Sequence, residues 1–255
     1  MPCVDATPAL APPPPDLARD ASLFIDFDGT LVELAARPEA VALGPATAAL
    51  LVRLADAFPG RVAIVSGRSI AQLDHFLGGF ARRVALAGSH GVERRSADGV
   101  LEAPAAPPGL AAAIAAMEDF ARRDEGLIVE PKRFGVTLHY RLAPALADAA
   151  DRFAAELATR HGMAVQRGKM MAELKVAGGD KGGALRALMQ TPAMRGTRPL
   201  FLGDDLTDEA GFAAAAAAGG AGILVGPPRA TAAAFALADV AAVHAWLAQA
   251  VEVAA

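Results

Sequence analysis

The chain has 255 residues, a formal net charge of −4 and one cysteine, Cys3. This length accommodates one core with a smaller inserted domain, and the modest charge is not typical of a disordered or nucleic-acid-coating protein. A single cysteine excludes an internal disulfide and a thiolate metal cluster, and no apolar run reaches the roughly 18–20 residues of a membrane span. With no basic and apolar leader at the N-terminus and no apolar stripe that demands a partner, we expect a cytoplasmic monomer that binds neither membranes nor nucleic acids.

Alternating strands and helices follow a start that is rich in Pro and Ala. Residues 1–20 include consecutive prolines at 12–15 and are predicted to form a disordered tail. Short apolar runs at 23–25 and 62–65 are typical of strands buried on both faces of a parallel sheet. Helically spaced apolar residues predict helices over 45–58 and 69–77. This order indicates a parallel sheet with helices on both faces.

The middle of the chain repeats a helix–strand–strand pattern twice, which is typical of a small antiparallel sheet covered by helices. The predicted elements are a helix at 110–123, strands at 127–130 and 136–141, a second helix at 144–161, and strands at 163–166 and 170–175. The parallel pattern then resumes with strands at 200–202 and 223–225 and helices at 182–189 and in the alanine run 213–218. We therefore predict an α/β core from residues 21–103 and 176–255 with an inserted α+β domain at 104–175.

Acidic residues follow the predicted strands at the points where these strands end. Asp26 and Asp28 come after the first strand, and Asp204 and Asp208 come after a later one. Because ligands of a parallel sheet bind beyond the carboxyl ends of its strands, these side chains are expected to converge. Two carboxylates about 4 Å apart repel by about 4 kcal/mol at an effective dielectric constant near 20, so a cation must neutralise them, and an all-oxygen set favours Mg²⁺ over zinc. Taken alone, Asp204 and Asp205 would instead indicate an acidic helix start.

Two segments offer groups that bind phosphate. Lys181 follows Gly178-Gly179-Asp180 at a predicted helix start, where its ammonium and free backbone amides can hold an anion. Ser66 and Gly67 end the second strand and offer a hydroxyl with backbone amides in a tight turn. A Gly-Asp-Lys-Gly sequence is also a common loop and indicates little by itself.

In this order, these segments resemble the four motifs of haloacid-dehalogenase-type phosphatases: Asp26-Phe27-Asp28-Gly29-Thr30, Ser66-Gly67-Arg68, Lys181, and Gly203-Asp204-Asp205 with Thr207-Asp208. The resemblance implies a Rossmann-like parallel α/β core with an inserted α+β cap. It makes Asp26 the nucleophile that forms an aspartyl-phosphate, and Asp28 the general acid and base. It also assigns Mg²⁺ to Asp26, the Asp28 backbone carbonyl and Asp204, with Asp208 in support. The phosphoryl oxygens are assigned to Ser66 and Lys181.

A second set of segments is similar to the trehalose-6-phosphate phosphatase family: Gly88-Ser89-His90-Gly91, Glu130-Pro131-Lys132, His139-Tyr140-Arg141, and Gly168-Lys169 with Glu173. This similarity implies hydrolysis of trehalose 6-phosphate to trehalose, with the insert as a cap that excludes water and binds the sugar. The implied substrate-binding residues are Gly67, Arg68, His90, Glu130, Lys132, Arg141, Lys169 and Glu173. Charged residues on one face of a small sheet are also commonly just solvated. Arg68 equally fits a salt bridge at a helix start, and His90 equally fits a strand-end cap.

Three other functions stay open on the sequence. A similar core and cap would serve a sucrose-phosphate or mannosyl-phosphoglycerate phosphatase, and the core motifs do not separate these substrates. A phosphomutase would need a means to retain its phosphorylated intermediate, of which the sequence shows no sign. A non-catalytic sugar-phosphate sensor is disfavoured, because binding alone does not require Asp28 as an acid and base.

Overall fold

The computed structural model describes residues 10–34, 41–168, 170–176 and 178–254, so Lys169 lies outside the described residues. The chain divides into two compact units, Met1–Ala103 with Gly179–Ala255, and Pro104–Gly178. In chain order, the strands and helices are β1 (Ala21–Asp26), α1 (Pro45–Ala57), β2 (Val62–Val65), α2 (Ile70–Leu77), β3 (Ala85–Gly88), β4 (Glu93–Arg95), β5 (Leu101–Glu102), α3 (Leu110–Ala121), β6 (Ile128–Lys132), β7 (Gly135–His139), α4 (Ala147–His161), β8 (Ala164–Gly168), β9 (Met171–Lys175), α5 (Lys181–Leu188), β10 (Arg198–Gly203), α6 (Glu209–Ala217), β11 (Ala221–Val225), β12 (Phe235–Leu237) and α7 (Val240–Ala254). In the part of the chain that the structure describes, none of these helices has the length and apolar character needed to cross a membrane.

Within the described residues, the first unit is built on an eight-stranded sheet with the order β12-β11-β10-β1-β2-β3-β4-β5. The strands from β12 to β3 run parallel, and β4 and β5 continue the sheet in antiparallel pairs. In the register, Ile25 of β1 lies between Leu202 of β10 and Ile64 of β2. The carboxyl end of β1 is therefore flanked by the carboxyl ends of both neighbouring strands.

Side chains of β1 alternate between two hydrophobic cores. Leu23 and Ile25 belong to the core that includes residues of α1 and α7, such as Trp246, whereas Phe24 belongs to the core with α5 and α6, which includes Phe212. Because both faces are covered, every residue of β1 is buried. This double burial explains why the strand reads as a continuous apolar run instead of an alternating one.

The insert folds as a four-stranded antiparallel sheet with the order β6-β7-β9-β8. Helices α3 and α4 supply apolar side chains to a core that includes Val136, Leu138 and Leu174 of the sheet. Residues that alternate with these on the opposite face form a cross-strand row of Glu130, Thr137, Glu173 and Gln166. A mainly parallel α/β core with an inserted antiparallel α+β unit confirms the predicted fold class.

The predicted disordered tail needs a correction in its second half. Residues 10–20 fold back onto the first unit, where Pro15–Ala18 forms a 3-10 helical turn that packs against α7. Ala18 is fully buried, and Ala236 N in β12 donates a hydrogen bond to Ala11 O at 3.0 Å. Small apolar side chains and a backbone partner thus stabilise a stretch whose composition alone suggested a tail. Residues 1–9 lie outside the described residues.

Candidate active site

A buried ammonium group joins two carboxylates at the carboxyl end of the parallel strands. Lys181 Nζ lies 2.7 Å from Asp26 Oδ1 and 2.6 Å from Asp208 Oδ1, and all three residues are buried. Asp204 completes the cluster, because one carboxylate oxygen from each of Asp26, Asp204 and Asp208 lies within 4.8 Å of the other two. The structure therefore brings together four of the predicted residues, which come from β1, α5 and the segment after β10.

Two glycines leave the space that the carboxylates occupy. A Cβ added at Gly29 would lie 2.3 Å from Asp204 Oδ2, and one added at Gly203 would lie 2.3 Å from Asp208 Cγ. Gly29 also has a φ of +85°, a conformation that glycine adopts without steric cost. Thr30 Oγ1 donates a hydrogen bond to Asp204 Oδ1 at 3.4 Å. The Asp-Gly-Thr sequence after β1 thus makes room for Asp204 and orients it.

Negative charge exceeds positive charge in this cluster. Burial raises the pKa of Asp26 well above its ordinary value, against the opposing charge of Lys181 and with a further contribution from Asp208. The pKa of Asp204 is also raised, first by burial and then by the charge of Asp208. Burial disfavours the charged form of Lys181, but Asp26 and Asp208 outweigh it and raise the Lys181 pKa above its ordinary value. One ammonium group thus faces three carboxyl groups.

The donor set fits a hard divalent cation such as Mg²⁺. Carboxylate oxygens are the ligands that Mg²⁺ prefers, and a divalent ion would supply the charge that the cluster lacks. Asp208 has both oxygens engaged, since Oδ1 accepts a hydrogen bond from Lys181 and Oδ2 accepts one from Asp205 N at 2.9 Å. The arrangement suits Asp26 and Asp204 as direct ligands and Asp208 as a support behind them.

Asp28 is held by Arg68. Arg68 Nε donates to Asp28 Oδ2 and Nη2 donates to Oδ1, each at 2.7 Å. The guanidinium also lies over the ring of Phe76 at 4.7 Å and over that of Phe27 at 5.7 Å. A planar fork that holds two oxygens and stacks on rings is the geometry in which arginine differs from lysine. Arg68 therefore forms a salt bridge with Asp28, and its predicted contact with substrate stays a prediction.

Backbone hydrogen bonds join the Ser66-Gly67 turn to the turn that contains His90. Ser89 N donates to Arg68 O at 2.7 Å, and His90 N donates to Ser66 O at 3.0 Å. A Cβ added at Gly67 would lie 2.7 Å from His90 Cε1, so the imidazole lies directly against Gly67. His90 is therefore beside the turn that was predicted to bind phosphate.

The backbone of this second turn is strained. The φ angles of Ser89, His90 and Gly91 are +52°, +56° and +89°, and left-handed angles are uncommon outside glycine. The buried Glu93 stabilises the turn, because its Oε1 accepts hydrogen bonds from Ser89 Oγ and from Ile70 N at the start of α2, both at 3.0 Å. At the two non-glycine residues, Ser89 and His90, such strain costs about 1–3 kcal/mol each and is concentrated at functional sites.

Four residues that were predicted to bind substrate are described in the insert. Glu130 Oε2 lies 3.0 Å from His139 Nε2, and this hydrogen bond lowers the pKa of Glu130. Lys132 Nζ lies 3.3 Å from Glu173 Oε1. Glu173 is buried, whereas Arg141 is exposed just beyond β7. The insert thus places Glu130, Lys132 and Glu173 on one sheet face, with Arg141 further away along the chain.

Two further residues, one in each unit, lie beside predicted site residues but belong to none of the motifs. Thr137 lies between Glu130 and Glu173 in the cross-strand row and is fully buried, yet its hydroxyl has no hydrogen-bond partner among the described residues. Arg229, in the loop between β11 and β12, donates from Nη2 to the carbonyl oxygen of Asp205 at 2.9 Å. The strict alternation of β7 would have placed Thr137 on the polar face, but no pattern in the sequence points to Arg229.

Comparisons with known proteins identify the family of the chain. Residues 24–240 match the family model described as trehalose-phosphatase. The chain is 37% identical over 235 residues to the trehalose-6-phosphate phosphatase of Escherichia coli (strain K12), covering 91% of this chain and 87% of that protein. It is also similar to the crystal structure of a trehalose-6-phosphate phosphatase related protein, with a TM-score of 0.70 and 26% identity over 88% of this chain and 94% of that one.

The fold is shared more widely. A haloacid dehalogenase-like hydrolase from Bacteroides thetaiotaomicron superposes with a TM-score of 0.65 at 17% identity, covering 90% of this chain and 97% of that one. The core therefore has the fold of that hydrolase, which agrees with the predicted fold class. The family model spans most of the chain, and the relative in Escherichia coli exceeds one third identity over most of both sequences. The predicted family is confirmed: the chain belongs to the trehalose-phosphatase family.

Proposed function

We propose that this protein is a Mg²⁺-dependent phosphatase that hydrolyses trehalose 6-phosphate to trehalose and phosphate. The observation that carries the proposal is the buried cluster in which Lys181 contacts Asp26 and Asp208 beside Asp204. It combines a nucleophile, a phosphate-binding cation and metal ligands in one place. The similarity to a trehalose-6-phosphate phosphatase over 91% of the chain supports the choice of substrate.

The proposed metal ligands are the carboxylates of Asp26 and Asp204 and the backbone carbonyl of Asp28, with Asp208 in support. When bound, Mg²⁺ supplies positive charge that balances the cluster and the phosphoryl oxygens. Lys181 and Ser66 bind the remaining phosphoryl oxygens, so that charge developing on them meets donors that are already in position.

In the first step, a carboxylate oxygen of Asp26 attacks phosphorus while the bond from phosphorus to the sugar oxygen breaks. Asp28, in its protonated form, transfers its proton to that oxygen, so trehalose leaves as a neutral alcohol. In the structure, Arg68 donates hydrogen bonds to both oxygens of Asp28. One of these oxygens must therefore give up its hydrogen bond to Arg68 when it carries the proton for the leaving group.

In the second step, water attacks phosphorus and the bond between phosphorus and Asp26 breaks. Asp28, now a carboxylate that Arg68 pairs with, takes the proton of this water. Phosphate leaves, the Asp26 carboxylate is restored and Asp28 again carries a proton. The two steps together consume one water molecule and no other reactant.

We assign recognition of the sugar to polar residues of the insert's sheet, led by Glu130, Lys132 and Glu173. These side chains offer acceptors and donors on one face, as an array of sugar hydroxyls requires. Further proposed contacts to the substrate are Arg141, Lys169, Gly67, Arg68 and His90. The position of His90 against Gly67, beside Ser66, supports its place in this set.

Phosphate release from a panel of sugar phosphates tests the proposal. The panel contains the 6-phosphates of trehalose, sucrose and glucose and a mannosyl-phosphoglycerate, each measured with Mg²⁺ and with EDTA. We expect trehalose 6-phosphate to be preferred and EDTA to abolish release. Preference for another sugar would overturn the substrate assignment and leave the phosphatase, whereas specific binding without turnover would favour a sensor.

Two variants test the roles of individual residues. Asp26→Asn should abolish turnover without unfolding the protein, and any retained turnover would remove Asp26 as the nucleophile. Glu130→Ala should lower kcat/KM for trehalose 6-phosphate but not for a small aryl phosphate, whereas equal losses on both substrates would indicate damage to the fold.

We also propose that the protein is a cytoplasmic monomer. Light scattering on the purified chain tests its monomeric state.

A further inference from the structure

We infer that Arg229 is a positioning residue for the metal-binding segment after β10, and that it acts through the backbone of Asp204 and Asp205. The inference rests on the proposed Mg²⁺ site but concerns a residue that none of the motifs contains. Arg229 Nη2 lies 2.9 Å from the carbonyl oxygen of Asp205 and 3.5 Å from that of Asp204. These two bonds fix the peptide units from which the Asp204 carboxylate projects.

Arg229 also ties this segment to the start of α6. Its Nη1 pairs with Oε1 of Glu209, the first residue of α6 and the neighbour of Asp208. The second oxygen of Glu209 accepts a hydrogen bond from Ala232 N at 2.8 Å. One guanidinium therefore joins three backbone segments: the turn at 204–205, the first residue of α6 and the loop at 229–232.

The loop that carries Arg229 is itself fixed to the sheet. Gly226 N donates to Leu237 O at 2.9 Å, and Ala234 N donates to Gly222 O at 2.9 Å. These bonds anchor the loop to β11 and β12 on either side of Arg229. About a quarter of the Arg229 and Glu209 side chains is exposed, 23% and 27% respectively, so the pair is largely shielded from competing water. Through Arg229, the segment that carries Asp204 and Asp205 is thus connected to a loop that two strands hold in place.

The charge of Arg229 alone predicts the opposite effect on a metal. A guanidinium near a cation site repels the cation, so removing Arg229 would strengthen Mg²⁺ binding if charge were its only contribution. If Arg229 instead holds Asp204 in position, its removal loosens the ligand and weakens Mg²⁺ binding, as changes behind metal ligands commonly do. The sign of the change therefore separates the two explanations.

Mg²⁺ affinity of the full chain, measured by isothermal titration calorimetry without substrate, tests the inference. We expect Arg229→Gln to weaken Mg²⁺ binding about 10-fold. Arg229→Lys keeps the charge but offers a single donor nitrogen, and its affinity should fall between those of Arg229→Gln and the wild type. Arg53→Gln is the matched control, because it removes one positive charge from an exposed pair with Glu252. We expect this control to bind Mg²⁺ as the wild type does.

Mg²⁺ binding by Arg229→Gln that is as tight as in the wild type, or tighter, would overturn the inference. Circular dichroism in EDTA establishes whether this variant is folded. If it is not, Arg229→Lys decides, and wild-type affinity in that variant overturns the positioning role. A wild-type chain that does not bind Mg²⁺ would remove the proposed metal and this inference together. If the wild type binds Mg²⁺ and the Arg229 variant binds it equally well, only the inference about Arg229 fails.

Discussion

Arg68 and Asp28 form a bidentate ion pair in which both carboxylate oxygens lie 2.7 Å from guanidinium nitrogens. The first unit contains a second pair of the same kind, in which Arg95 holds both oxygens of Asp74 at 2.9 Å and 2.6 Å. The two pairs share their chemistry but differ in place, because Asp28 lies two residues after Asp26 whereas Asp74 lies within α2. The Arg95–Asp74 pair therefore serves as a control for the contribution of the Arg68–Asp28 pair to catalysis.

Arg68→Lys should lower kcat for the proposed reaction by about 10- to 100-fold, because an ammonium cannot hold both oxygens of Asp28 and small displacements of a reacting group are costly. Arg95→Lys, which makes the same change at Asp74, should leave kcat unaltered. Steady-state kinetics on both variants check the prediction. Equal kcat values in Arg68→Lys and the wild type would show that Asp28 does not depend on this pair.

Lys181→Met should destabilise the metal-free protein by about 3–5 kcal/mol, because it leaves the buried Asp26 and Asp208 carboxylates without their cation. Urea unfolding in EDTA measures the change. Arg53→Met is the control, since its pair with Glu252 is exposed on both sides, and it should cost about 1 kcal/mol or less. Similar losses in the two variants would contradict the importance assigned to the buried cluster.

Thr137→Val should raise the free energy of unfolding by about 1 kcal/mol, because the buried hydroxyl that it removes has no partner among the described residues. Thr191→Val should do the opposite and lower it by about 1 kcal/mol, since Thr191 Oγ1 donates to Leu188 O at 2.7 Å. Thermal and urea unfolding of both variants provide the comparison. A destabilised Thr137→Val would mean that the hydroxyl has a partner in solution.

Tyr140 should ionise with a pKa of about 12, raised by burial and by its hydrogen bond to Asp151 at 2.9 Å. It is the only tyrosine in the chain, so ultraviolet absorbance of the phenolate follows this residue alone. Because the folded pKa exceeds the unfolded value of about 10, Tyr140 contributes stability that is fully present below pH 10 and is lost as the pH rises towards 12. Circular dichroism must show a folded chain throughout, and a folded chain titrating near pH 10 would refute the shift.

Much of the site could be predicted because its acidic residues follow neighbouring parallel strands. β1 and β10 are parallel neighbours with Ile25 opposite Leu202, so residues that follow these strands must meet. This rule alone brings Asp26 close to Asp204 and Asp208. Lys181, the first residue of α5, then adds its ammonium to this group, at the helix start where the sequence predicted it.

Partners chosen by packing could not be predicted in the same way. Arg68 pairs with Asp28, which lies 40 positions earlier in the chain. The rings of Phe27 and Phe76 lie against its guanidinium in this pair. Strand β3 was missed because its alanines have low strand propensity, and its pairing with β2 and β4 stabilises it instead. Both cases depend on contacts that are distant in sequence.

The division of the first unit by the insert has a consequence for the order of folding. Strand β1 can pair with β2 as soon as both have been synthesised, but its other neighbour, β10, follows the whole of Pro104–Gly178. The insert is compact and made of contacts local to its own segment, and such units form faster than sheets closed by distant segments. We therefore expect a nascent chain to carry a finished insert while one edge of β1, the strand that ends in Asp26, still awaits its partner.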